Sequence, residues 1–145
     1  MHKDNVGASV MLSRADMARL VGSDNYRTDE WMLDLFENWY DPCPFNPNFD
    51  PNKHIDGLKV EWEDKTFVNP PYSNPLPWVR KAVREHEKGK TIVMLLKNDS
   101  STKWYNELHR ANAHIILIHR RMKYQTGKAA NFPSMLAILS KRDLL

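Results

Sequence analysis

The chain has 145 residues, 41% of them hydrophobic and 27% charged, which sets one domain large enough to bury a sizeable core. One cysteine, Cys43, excludes an internal disulfide and suits a reducing cytosol, and no apolar run approaches the about 18 residues of a membrane-spanning helix. The net charge of +3 divides unevenly: residues 1–64 carry 6 Lys/Arg against 13 Asp/Glu, residues 65–99 carry 7 against 3, and residues 100–145 carry 8 against 2. An acidic front and a basic rear predict a polyanionic partner for the rear half, with nucleic acid set against an ordinary solvated basic surface. The first residues show no apolar core followed by a cleavage site, so the expectation is a cytoplasmic protein with no membrane partner.

In chain order, "SRADMARLV" predicts a short helix, with Ser13 as N-cap and Asp16 three residues on, inside an N-terminal helical extension over 1–25. "TDEWMLDLFENWY" predicts a second helix capped by Thr28. Its apolar face would be Trp31, Met32, Leu35, Phe36 and Trp39, and Pro42 stops it. That aromatic stripe reads as core. Four strands are expected after it: "KTFV" ending at Asn69, "TIVMLL" at 91–96, "HIILIH" at 114–119 and "SMLAIL" at 134–139. Helices "PWVRKAVREHEKG" and "STKWYNELHRANA" separate the first three. Alternation of strand and helix predicts an α/β fold with a mostly parallel sheet, whose ligands sit beyond the carboxyl ends of the strands. Asn69-Pro70-Pro71-Tyr72 and Lys97-Asn98-Asp99 both fall at such ends.

The tetrapeptide at 69–72 is chemically pointed. Each proline restricts the residue before it, so the segment is stiff before anything binds. The Asn69 side chain offers a carbonyl acceptor and Pro70 a backbone carbonyl with no N–H of its own. Two acceptors side by side match the two hydrogens of an exocyclic amino group, and Tyr72 supplies a flat face for a ring. Such acceptors favour a pyramidal nitrogen, with its lone pair out of the ring plane. It can then attack an electrophilic methyl held about 3–3.5 Å away. The charge that develops is met by preorganised dipoles. A base inside a duplex would first have to flip out, and stacking of about 1–3 kcal/mol offsets part of that cost.

"NPPY" between a strand and a helix resembles the signature of amino-group methyltransferases that use S-adenosylmethionine. Together with "YRTDEW", "YDPCPFNP", "DGLKVEWEDKTFVNPPYSNPLPWVRKAV", "GKTIVMLLKNDSSTKWY" and "NFPSMLAIL", it makes residues 26–140 similar to the phage DNA N6-adenine methyltransferase family. The resemblance implies a compact, reduced Rossmann-like methyltransferase fold in a single domain over 1–145, in the host cytoplasm if phage-encoded. It implies methyl transfer from S-adenosylmethionine to adenine N6 in DNA, with Asn69, Pro70, Pro71 and Tyr72 as catalytic residues. By position Asp41, Pro42 and Cys43 would form the cofactor loop, with Thr28 near it and Asp56 in the same pocket. Ser73, Asn74, Lys97, Arg120, Arg121 and Lys123 would meet the substrate; Lys81 and Lys103 are further phosphate candidates. The chain has no G-x-G, and only 25 residues separate Cys43 from Asn69. No separate recognition domain is expected within these residues, so specificity is expected to fall to loops such as 120–132, and full activity to need a dimer or partner.

Other readings compete with this one. Methylation of a protein glutamine or another planar amide uses the same tetrapeptide, and a silent DNA-binding descendant of such enzymes would keep the basic rear. "DPNKHIDG" departs from a calcium loop at its sixth position, Ile55, where glycine is required. His54, His86, His109, His114 and His119 show no H-x-x-x-H or paired Cys/His ligand spacing, so no metal is expected. Cys43 reads as a small packing residue, because no base is placed for it as a nucleophile.

Overall fold

The computed structural model describes residues 30–44, 48–50, 52–119, 121–122 and 132–141. The expected extension at 1–25, Thr28, Arg120 and Lys123 lie outside the described residues. The elements are α1 (Glu30–Leu35), β1 (Lys65–Val68), α2 (Leu76–Glu87), β2 (Thr91–Lys97), α3 (Lys103–Arg110), β3 (His114–Leu117) and β4 (Ser134–Leu139). No described helix is long and apolar enough to cross a membrane.

Local chemistry accounts for most of these bounds. Pro77 stands in the first turn of α2, where its missing N–H is not needed. Gly89, with φ +106°, takes the left-handed position just past the helix end. Thr102 is extended and its hydroxyl accepts from the Tyr105 N–H at 3.2 Å, an N-cap that starts α3. α1 is shorter than its periodicity predicts. The chain leaves the helix after Leu35, so Met32, Phe36 and Trp39 turn inward while Trp31 and Leu35 stay exposed.

The α/β expectation holds, but the sheet is mixed rather than mostly parallel. Strand order is β1-β2-β4-β3. β1 and β2 run parallel, with Phe67 beside Val93. β4 lies between β2 and β3 and runs antiparallel to both, placing Leu136 beside Leu95 and Ile116. An apolar run covered on both faces reads the same in either direction, so the composition of "SMLAIL" carried no sign of its orientation. One consequence decides where the site can be. The carboxyl ends of β1, β2 and β3 share an edge, and β4 begins there rather than ending there. Tyr40 adds a parallel bridge to Thr66, donating to Lys65 O at 2.9 Å and accepting from the Phe67 N–H at 2.8 Å, so Asp41 leaves at the same edge.

The sheet carries a core on each face. α2 and α3 cover Val68, Met94, Leu96, Met135 and Ala137 with Val79, Ala82, Trp104 and Leu108. On the other face Met32 joins Phe67, Val93, Leu95 and Leu136, and the Phe36 ring stacks on Phe67 with centroids 4.5 Å apart.

A single buried carboxylate ties α2 to the segment entering β1. Glu85, 1% exposed, accepts from the Trp62 backbone N–H at 3.0 Å, from Lys81 at 3.2 Å and Lys88 at 2.9 Å, and from Lys90. Burial pushes its pKa up, but the Lys90, Lys88, Trp62 and Lys81 bonds prevail and pull it down to about 2. Lys81, expected at phosphate, is instead buried in this cluster with its ammonium 5.9 Å from the Trp62 ring centroid. Glu85→Ala is expected to destabilise the fold by about 3–5 kcal/mol, and Glu85→Gln by less, because an amide oxygen can still accept from Trp62. Urea unfolding measures both. A depressed carboxylate stabilises above its ordinary range, so this stability is present at neutral pH and disappears as pH falls from about 4.5 towards 2.

Candidate active site

The tetrapeptide leaves β1 at the shared edge, as expected. Pro70 is buried, Asn69, Pro71 and Tyr72 are half-buried, and Ser73 and Asn74 are exposed. The Asn74 N–H donates to Pro71 O at 3.3 Å, and the Val79 N–H donates to Pro75 O at 2.9 Å to begin α2. Between those bonds the prolines leave the loop few accessible conformations.

Two expected groups do converge here. Lys97 ends β2 with its ammonium 5.0 Å from the Phe132 ring centroid, and Phe132 meets Tyr72 edge to face, centroids 5.0 Å apart at 78°. Phe132 was not singled out from the sequence. A parallel β4 would have put residue 132 at the far edge of the sheet, and only the antiparallel direction brings it beside Tyr72. An aromatic residue directly before Pro133 and a strand was the available signal. Arg121, exposed, follows β3 towards this same edge, and Lys103 is exposed in the first turn of α3.

Asx turns shape the chain after Tyr40. Asp41 Oδ1 accepts from the Cys43 N–H at 2.9 Å, and Asp56 Oδ1 accepts from the Leu58 N–H at 2.9 Å. Gly57 joins them: a Cβ there would stand 1.9 Å from Pro42 O and 2.8 Å from its carbonyl carbon. Only a residue without a side chain allows the 41–43 and 56–58 segments to touch. Gly57 O in turn accepts from the Trp62 indole N–H at 2.7 Å, which carries the contact back to the Glu85 cluster. Asp41, Pro42, Cys43 and Asp56 are thus neighbours, separated in sequence and joined through one glycine.

Burial dominates the electrostatics of this loop. It pushes the Asp41 carboxyl up to about 7, against the lowering effect of the Cys43 N–H. Burial, then Asp41 and Asp56, push the Cys43 thiol far up, which removes it as a nucleophile. Burial also raises the Tyr40 phenol, helped by Glu63, Asp41 and Glu85. Across the edge Asp99 is held low, chiefly by the Ser101 hydroxyl at 2.6 Å and its N–H at 3.0 Å, ordering the turn into α3. Among the described residues no three His, Cys, Asp or Glu side chains group as metal ligands. In the 50–54 turn Asp50 Oδ1 accepts from the Asn52 N–H and its carbonyl from the His54 N–H.

Known proteins are similar to this chain in sequence. The profile of the family described as DNA N-6-adenine-methyltransferase (Dam) matches residues 29–141. A protein of Haemophilus phage HP1, named DNA N-6-adenine-methyltransferase, is 30% identical over 138 residues, covering 82% of this chain and 80% of its own length. A protein of Escherichia phage T1 with the same name is 44% identical over 67 residues, 46% of this chain and 24% of that protein.

Gly57→Ala is expected to force the two loops apart and to lower the melting temperature by several degrees, as a strained or clashing substitution of about 1–3 kcal/mol does in a domain of this size. Gly89→Ala is the comparison, since a Cβ there meets only the Lys141 ammonium end at 3.4 Å and suffers from its φ alone.

Proposed function

This chain belongs to the DNA N-6-adenine-methyltransferase (Dam) family, and from that premise we infer that it transfers a methyl group to the N6 amino group of adenine in DNA. The observation that carries the mechanistic reading is the stiff Asn69–Tyr72 segment at the carboxyl end of β1, beside Phe132 and Lys97. In this reading the Asn69 side-chain oxygen and the Pro70 carbonyl accept the two amino hydrogens of an extruded adenine. That drives the nitrogen towards the pyramidal, nucleophilic form, and the fixed dipoles meet the positive charge it gains. Tyr72 and Phe132 are the ring surfaces for the base. The exposed Ser73, Asn74, Lys103 and Arg121 are the candidates for phosphate contact, with the half-buried Lys97 beside the base.

S-adenosylmethionine, the usual methyl donor of such enzymes, supplies an electrophilic methyl on a sulfonium when bound. The residues at the shared edge fit it. Asp41 is a half-buried carboxyl beside apolar Pro42 and Cys43, and an incoming ammonium would compensate its charge. Asp41 would therefore hold the amino-acid end of the donor, with Pro42, Cys43 and the Asp56–Gly57 turn forming the wall behind it. Thr28 is carried over by position alone.

Two outcomes follow. Asn69→Ala is expected to reduce methyl transfer by about 10²–10³-fold while leaving donor affinity nearly unchanged. The measurement is transfer of radiolabelled methyl to unmethylated DNA, digested to nucleosides and assayed for N6-methyladenosine; an undiminished rate in the variant would remove the mechanism. Donor binding is also expected to depend on pH through Asp41. Its raised carboxyl, at about 7, is mostly protonated at pH 6 and mostly ionised at pH 8, so affinity rises about tenfold between them. Fold stability moves oppositely, because a carboxyl raised above its unfolded value loses its stabilising share as pH rises from about 4 to 7. Calorimetric titration across that range, with Asp41→Asn giving a weak and flat profile, checks the assignment.

A further inference from the structure

Among the described residues, the Ser134 hydroxyl is the buried side-chain polar atom that finds no hydrogen-bond partner. Ser134 is 1% exposed, opens β4 at the shared edge and stands directly across from Lys97. Directly opposed residues of an antiparallel pair send their side chains to the same face, so Ser134 occupies the corner from which Lys97 reaches over Phe132. Phe132 in turn meets Tyr72. Buried hydroxyls in native proteins are nearly always bonded, and an alanine would fill this space without an unmet donor. An unmet donor two residues from Phe132 and directly across from Lys97 is a group that a base entering at these rings can complete.

The identity of the missing partner follows from what the other groups already occupy. If Asn69 and Pro70 take both amino hydrogens of the adenine, its remaining polar atoms are ring nitrogens, which only accept. Stacking constrains the plane of a ring but not its rotation within that plane. Two acceptors at the amino group fix one end, and a donor at a second point fixes the orientation. Resting on the base-site reading above, we propose that Ser134 is a positioning residue for the target base, its hydroxyl donating to a ring nitrogen of the adenine that enters at Tyr72 and Phe132.

The test compares wild type with Ser134→Ala on oligonucleotides carrying adenine or its 1-deaza, 3-deaza or 7-deaza analogue at the methylated position, with thermal unfolding alongside. Ser134→Ala is expected to melt at the wild-type temperature or above it, because it removes an unmet polar group, yet to transfer methyl about tenfold more slowly to adenine. One deaza analogue should slow the wild type and leave the variant's rate where it was, since the bond it deletes is already gone. A variant at the full wild-type rate, or one slowed by the same further factor as wild type on every analogue, would overturn the assignment and leave Ser134 to a structural water. Absence of transfer by wild type to any adenine oligonucleotide would instead overturn the activity, and the assignment with it.

Discussion

The acceptance of the Trp62 backbone N–H by the buried Glu85 carboxylate is the contact on which the rest of the molecule hangs. Glu85 sits in the last turns of α2, and Trp62 lies three residues before β1. The bond therefore closes the β1–α2 unit at the end opposite its proline-rich loop. With strand and helix locked at one end, residues 69–75 must span a fixed gap at the other, and the prolines convert that fixed span into a fixed shape. The three lysines make the arrangement tolerable. An ionised carboxylate this deep is stable only when its oxygens are fully engaged, and here they are.

The same bond reaches the second loop by a covalent and hydrogen-bonded route. The Trp62 indole holds the Gly57 carbonyl, and Gly57 admits Pro42 where any side chain would collide. Asp41 is thus located from two sides: by its own Asx turn with Cys43, and by the glycine contact that presses the 56–58 segment against it. The Tyr40 bridge to Thr66 supplies the third constraint, aligning this loop with the strand that carries Asn69. A domain with this few elements assembles two distant loops at one edge because each is anchored to β1 by backbone bonds rather than by side-chain packing alone.

Much of this was legible in the residues, and what was not has definite causes. The strands at 65–68, 91–97 and 134–139 announced themselves by β-branched and aliphatic runs bounded by turn residues, and the glycine closing "PWVRKAVREHEKG", Gly89, marked a helix end by its own chemistry. The 69–72 segment was readable because proline acts locally. Strand direction was not, since side-chain alternation is symmetric under reversal, and the error about β4 hid Phe132 and Ser134 with it. Lys81 was misjudged for a related reason: charge composition says nothing about whether a lysine faces water or a buried glutamate. Gly57 was overlooked beside Asp56 because a glycine's role depends on what approaches it from elsewhere in the chain.

In the reading proposed above, the two halves of the shared edge would meet their ligands in different ways. On the Asn69 side the groups are stiff and neutral, and a flat ring can be matched by dipoles that need not move as charge develops on its nitrogen. On the Asp41 side burial raises the carboxyl to about 7, so in the proposed reading an arriving cation would favour its ionised form. That difference suits the chemistry asked of each. A reacting amino group gains charge only fleetingly and is best met by fixed polarity. A zwitterionic donor brings its charge permanently and is best met by a group whose own charge follows it. Pro42 packs on Gly57 and Phe132 on Tyr72 beside these polar groups, so in this reading the apolar contacts set the positions from which the polar groups act.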